Sequence, residues 1–182
     1  CNGRALGVNA IQLHPSPPQK WNSKPFPAGA ESKFLAEREG SGIEKIFFHG
    51  IYLLNLANPD PRAISLGRTS IAIYLDLVAR IKGDGVIFHV GSMKDEPDEA
   101  LGYERAASSI NWILANSPES SRLLLEVAAG SGKVIGDRVE ELAEIYSQVE
   151  NKDRVGFALD SQHMWASGYD LVGDLEQVVA NV

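Results

Sequence analysis

The segment KIFFH, Lys45–His49, is a short apolar run that ends in an imidazole. Three later runs have the same form: GVIFH, RLLLE and GFALD finish in His89, Glu126 and Asp160. Short runs rich in aliphatic, β-branched and aromatic residues are the sequence form of buried strands. Their final residues are spaced 40, 37 and 34 positions apart, which leaves room for one helix between each pair. The intervening segments carry apolar residues at helical spacing: Ile71, Leu75, Val78 and Ile81; Leu101, Ala106, Ile110 and Ile113; Val139, Leu142, Tyr146 and Val149. The first of these helices is expected to be capped by Ser65 or Ser70, hydroxyls that can accept from free first-turn amides. Strands are expected at 8–13, 43–48, 85–88, 122–125 and 155–159.

Strand followed by helix at this rhythm implies parallel strands joined by right-handed crossovers. In a (β/α)8 barrel the carboxyl ends of such strands share one face and point toward one centre. His49, His89, Glu126 and Asp160 are therefore expected to converge, although more than 100 residues separate the first from the last. One polar residue ending a strand is ordinary, but four in succession define a shared site. Two imidazoles with two carboxylates suit zinc or a similar divalent cation.

Composition sets the outer bounds. The 182 residues are 44% hydrophobic and 23% charged, ordinary values for a soluble domain. No apolar run approaches the ~20 residues that a membrane span requires, so no membrane partner is expected. Cys1 is the single cysteine, which excludes an internal disulfide framework and fits a reducing, cytoplasmic setting. The net charge of −7 opposes a surface that is basic throughout, without excluding a local groove charged by bound cations. Residues 1–182 read as one domain. The first residues resemble the end of a helix and the last ones lie inside another, so a domain truncated at both ends is expected, with about five strand-helix units visible.

The loops after the strand ends carry further signals. Gly130, Gly132 and Lys133 suggest a phosphate loop, but Val127 and Val134 stand where that motif needs glycine and a hydroxyl. A glycine-rich turn is the better reading. Tyr52 and Leu53 just past His49 read either as core or as a wedge that stacks against a base or fills a gap in a duplex. His14 ends its own apolar run, followed by Pro15, Pro17 and Pro18, and reads as part of a rigid loop more than as a ligand. The same loop carries Gln19, Lys20 and Trp21, types suited to nucleic-acid backbone contact. Trp112 and Trp165 read as core or rim residues.

Four blocks, FFHGIYLLNLA, VIFHVGS, LLLEVAAGSG and FALDSQHMWASGYD, resemble in wording, order and spacing the successive signatures of the endonuclease IV family. These are zinc-dependent apurinic/apyrimidinic endonucleases built as TIM barrels of the xylose isomerase-like type. The last block, Asp160-x-x-His163 followed by Gly168-Tyr169-Asp170, is the most specific. The resemblance implies hydrolysis of the phosphodiester 5′ to an abasic site in double-stranded DNA, in base excision repair, by a monomer. It implies three zinc ions in the complete family site and one or two here. His49, His89 and Glu126 would surround the first, and Glu126, the catalytic bridging carboxylate, would share the second with Asp160. His163 would serve the third. Tyr52 and Leu53 match residues that enter the duplex, and Gln19, Lys20 and Trp21 match a DNA-contacting loop that commonly has arginine near the position of Gln19.

The chain also differs from the family blocks. Val90 follows His89 in place of proline, Val127 and Ala128 replace a polar pair after Glu126, and Ser161 and Gln162 replace Thr-Cys before His163. Apolar neighbours at a metal-bound glutamate weaken its outer support. Further family ligands, a histidine, an Asp-x-His pair and a glutamate, have no counterpart within residues 1–182. The alternatives are a metal-dependent sugar isomerase or epimerase on a related barrel, or an inactive truncated homologue.

Overall fold

The structure is a computed structural model, and it describes residues 2–21 and 26–181; Cys1 lies outside the described residues. A helical turn, α1 (Asn2–Ala5), leads into strand β1 (Ala10–Leu13), helix α2 (Ala30–Arg38) and strand β2 (Lys45–His49). Next come α3 (Pro61–Arg80), β3 (Gly85–Phe88), the two-residue β4 (Gly91–Ser92) and α4 (Glu99–Ala115). The chain continues through β5 (Leu123–Glu126), the short β6 (Val134–Ile135), α5 (Val139–Ser147), β7 (Val155–Ala158), α6 (Ser161–Ala166) and α7 (Leu175–Asn181).

Five strands form one sheet in the order β1-β2-β3-β5-β7, and every pairing is parallel. Each strand thus lies beside the next long strand in sequence, the winding of a (β/α)8 barrel that has not closed. The register sets Phe48 beside Val86, Val86 beside Leu123 and Leu123 beside Val155. From that row the four strands run on by one, two, three and three residues, to His49, Phe88, Glu126 and Ala158, so their ends step gradually along one rim. The core lies between sheet and helices, with Ile46, Ile71, Tyr74, Leu75, Val86, Phe88, Ile110, Leu123, Leu125 and Leu142 among its fully buried members. β4 and β6 form an antiparallel ribbon above that rim.

The strands fall within two residues of the expected positions. The cap of α3 requires correction. Neither Ser65 nor Ser70 caps it: Asp60 does, accepting from the Arg62 amide at 2.9 Å, with Pro61 in the first turn. Proline lacks the amide that a first-turn position would leave unpaired, so the helix begins well before its apolar stripe does. α4 starts in the same way, from Asp98.

Arg154 fixes the approach to β7. Its buried guanidinium donates to the carbonyl oxygens of Leu114 at 2.7 Å, Ser121 at 3.0 Å and Pro118 at 2.8 Å, and to Ser117 Oγ at 2.9 Å. One planar group thereby ties the end of α4, the turn before β5 and the start of β7 together.

Candidate metal centre

His49 is the last residue of β2, His89 follows β3, and Glu126 ends β5. Asp160 stands two residues beyond β7, where it caps α6: its Oδ1 accepts from the amides of Gln162 at 2.7 Å and His163 at 3.0 Å. Both bonds fall on one oxygen, so Oδ2 is the atom left for a cation. The cap also sets the direction of His163, which occupies the first turn of α6.

Glu126 is the centre of the arrangement. Its Oε2 lies 2.8 Å from His49 Nε2 and 3.3 Å from His89 Nε2, while Oε1 lies 3.7 Å from His163 Nδ1. Two groups of donors share it: His49, His89 and Glu126, and then Glu126, Asp160 and His163, with the ligand atoms of each group within 4.8 Å of one another. His163, which the resemblance assigned to a third cation, thus lies within reach of Glu126 and Asp160. The reason is local, because its Nδ1 donates to the Val127 carbonyl oxygen at 3.1 Å and draws the ring toward β5.

The hydrogen bonds settle where the protons sit. A carbonyl oxygen only accepts, so His49 Nδ1, 2.8 Å from Gly50 O, carries the hydrogen. In the neutral ring Nε2 then offers a lone pair to a carboxylate oxygen at 2.8 Å. Two acceptors at that distance require a proton or a cation between them. Burial works to lower the His49 pKa, but the hydrogen bond to Glu126, the Gly50 carbonyl and the charges of Glu126 and Asp160 outweigh it and hold it above the ordinary value. Burial dominates at His89, aided by His49 and His163 and opposed by Glu126 and Asp160, and lowers its pKa. That favours the neutral imidazole that binds metals. The amide of His163 leads the effects that hold the Asp160 carboxyl below its usual range, against the opposing influence of burial.

The residues fit a divalent cation. The shared carboxylate faces imidazole nitrogens on both oxygens, and His89 Nδ1 is buried without a hydrogen-bond partner among the described residues. A set of neutral imidazoles and carboxylates is the ligand chemistry of zinc.

The loops around the cluster are clasped to each other. Tyr52 and Leu53 are 63% and 42% exposed, so they are not core. With Asn58, His89, Lys94 and His163 they border a groove of ≈ 460 Å³ beside the cluster. The Tyr52 amide donates to the Pro18 carbonyl at 2.8 Å, and Ser16 Oγ is 2.7 Å from the Tyr74 hydroxyl in a buried bond. On the other side, Asn55 bonds Ser92 through both its carbonyl oxygen and its amide nitrogen, at 3.0 and 2.8 Å. Gly91 makes that approach possible at φ 125°, since a Cβ there would meet the Asn55 side chain and backbone. Gln19 and Lys20 are exposed on the first loop, whereas Trp21 is half-buried and packs against the core. Trp112 and Trp165 are exposed, so neither belongs to the core.

Sequence reasoning missed Asn55, which sits inside the FFHGIYLLNLA block and has no periodic signal of its own. The reading of His14 as no ligand agrees with the donor groups, neither of which includes it. The structure puts the His14 ring 5.3 Å from that of His49 and 6.3 Å from that of Tyr52, centroid to centroid. The glycine-rich segment after Glu126 is a turn, as expected, pinned to α6 by Ser167, whose Oγ accepts from Gly130 N and donates to Ala128 O, both at 2.8 Å.

Comparison with known proteins agrees with this geometry. A family described as Xylose isomerase-like TIM barrel matches residues 2–181, and the chain belongs to that class of barrel. Its relatives within the class are specific. A probable endonuclease 4 from Chlorobium luteolum is 36% identical over 93% of this chain and 61% of its own length. One from Chloroflexus aggregans is 32% identical over 93% of this chain and 59% of its own. The crystal structure of endonuclease IV from Thermus thermophilus superposes with a TM-score of 0.83 at 28% identity, covering 98% of this chain and 62% of that one. The chain is a member of the endonuclease IV family. It spans about three fifths of the length of these relatives. A D-tagatose 3-epimerase-like protein shares the fold, with a TM-score of 0.72 at 16% identity.

Proposed function

We propose that the protein is a zinc-dependent apurinic/apyrimidinic endonuclease of base excision repair that hydrolyses the phosphodiester 5′ to an abasic site in duplex DNA, acting as a cytoplasmic monomer. The observation that carries this reading is the pair of donor groups joined at Glu126, set beside an exposed aromatic-aliphatic pair at Tyr52 and Leu53. Relatives at 32–36% identity bear the name endonuclease 4, which supports the same class of reaction.

In this account His49, His89 and Glu126 would hold one cation, Glu126 and Asp160 would share a second, and His163 would serve a third. Divalent cations so held supply Lewis acidity toward a phosphate and nucleophilic water at neutral pH. Glu126 fixes their spacing. Asp160 keeps its free oxygen ionised because its partner oxygen is committed to the α6 amides. Tyr52 and Leu53 occupy the space a missing base leaves, and the lesion is selected because an abasic nucleotide costs less to turn out of the stack than a paired one. Gln19, Lys20 and Trp21 hold the neighbouring DNA backbone, with Trp21 anchoring the loop that presents the other two.

The experiment is incision of a duplex with one tetrahydrofuran abasic analogue. The expected product is a single nick 5′ to the analogue that disappears on chelation and with Glu126→Gln. An intact duplex, together with interconversion of ketose epimers by the same preparation, would transfer the site to the sugar epimerases that share this fold.

A further inference from the structure

The segment Gly168-Tyr169-Asp170 closes the last of the four sequence blocks, yet it contributes no donor to either group around Glu126. Its place in the fold gives it another task. α6 carries His163 and is capped by Asp160, but it has only six residues, and a helix that short is marginal by itself. Its far end is closed by the segment. Gly168 takes φ 96°, a left-handed conformation that costs glycine little. The Gly168 amide then donates to the Trp165 carbonyl oxygen at 3.1 Å, and the Tyr169 amide to that of Met164 at 3.0 Å. This pair of bonds is the Schellman closure of a helix, and Tyr169 packs against the core that includes Met164.

The hydroxyl of Tyr169 serves a second helix. α5 begins at Val139 after Arg138, whose side chain makes no cap and has no acceptor to offer. Tyr169 Oη accepts from the Val139 amide at 2.9 Å instead, satisfying a first-turn donor that has no partner within its own helix. One residue therefore closes α6 through its amide and caps α5 through its hydroxyl. A second tie lies alongside, since Ser167 Oγ joins α6 to Gly130 N and Ala128 O in the turn after Glu126. Asp160 Oδ1 is bound to the first amides of α6. The lie of this short helix thus decides where both Asp160 and His163 stand relative to Glu126.

We propose that Tyr169 is a positioning residue for the metal centre: its hydroxyl, bound to the first amide of α5, fixes α6 and so sets Asp160 and His163 against Glu126. The role rests on the cation-binding reading above. Tyr169 acts through the helix and not as a ligand.

The test uses the full chain with Tyr169→Phe, which keeps the ring and its packing and removes only the hydroxyl. Zinc affinity is measured by competition with a chromogenic chelator in the native protein, Tyr169→Phe, Asp160→Ala and the double variant. The native protein is expected to bind two zinc ions, and Tyr169→Phe to weaken one of them about 10-fold, the lower end of what loss of an outer support costs. Asp160→Ala keeps only the ion of His49, His89 and Glu126. In that background Tyr169→Phe is expected to change zinc affinity by less than about 2-fold, because the effect passes through Asp160. A hydroxyl with a merely structural role would lower the melting temperature and leave both zinc affinities unaltered, and that result overturns the proposal. Equal weakening of both ions, or an undiminished effect in the Asp160→Ala background, overturns it as well, while the cation-binding reading stands. A native protein that binds no zinc overturns that reading and the proposal with it.

Discussion

Glu126 is buried, yet it faces three imidazoles. A carboxylate in that setting is not stabilised by water, and its only compensation is positive charge or hydrogen-bond donation. In their neutral forms His49 and His163 commit their only hydrogens, on Nδ1, to backbone carbonyls, so they donate to Glu126 only when protonated. A bound cation supplies the compensating charge when they are neutral. Tyr52 presents the opposite case, a large aromatic ring left in solvent without a packing reason. Tyr52→Ala is expected to leave the melting temperature within about 1 °C, because exposed positions contribute little to stability. It is expected to weaken binding of an abasic duplex about 10-fold, as loss of one stacking surface does, with little effect on undamaged DNA. Parallel melts and anisotropy titrations check both halves.

Among the elements, the strand ends carry the site and the loops position it. Arg154 acts at this scale. Arg154→Ala removes five donations at once and leaves buried carbonyls unpaired, so a stability loss of about 3 kcal/mol is expected in urea melts. A lysine in its place is expected to recover little, since it lacks the planar fork. Asp84, before β3, gives a pH-dependent counterpart. Burial raises its pKa, but Lys45 at 2.7 Å and the Ile46 amide at 2.8 Å outweigh it, and the net shift is downward. A depressed carboxyl adds stability above its unfolded pKa of about 3.9, and this is lost as pH falls through the folded value. Asp84→Asn is therefore expected to cost about 1 kcal/mol at pH 7, and its deficit against the native protein should shrink in melts below about pH 4.

The same elements show what could be read from residue order. Strands β2, β3, β5 and β7 were legible because each packs an apolar run and ends in a ligand type. α2 was not: none of its residues is buried, so no apolar stripe announces it. The start of α3 was missed because its first turn precedes the periodic residues.

At the scale of the whole molecule, the sheet leaves the outer sides of β1 and β7 unpaired among the described residues. Phe157, Leu159, Trp165, Val172 and Val179 are exposed on or after the last strand. A closed barrel of eight strands covers such a flank and brings further strand ends across the rim from Glu126. The relatives are longer than this chain, which fits that picture. No helix among the described residues is long and apolar enough to cross a membrane. The proposed site turns on one shared carboxylate, so zinc stoichiometry is its most direct test. Metal analysis after equilibrium dialysis is expected to find two zinc ions in residues 1–182, neither in Glu126→Ala, and one in Asp160→Ala. A native chain without bound zinc, or a Glu126→Ala protein that keeps both ions, would contradict it.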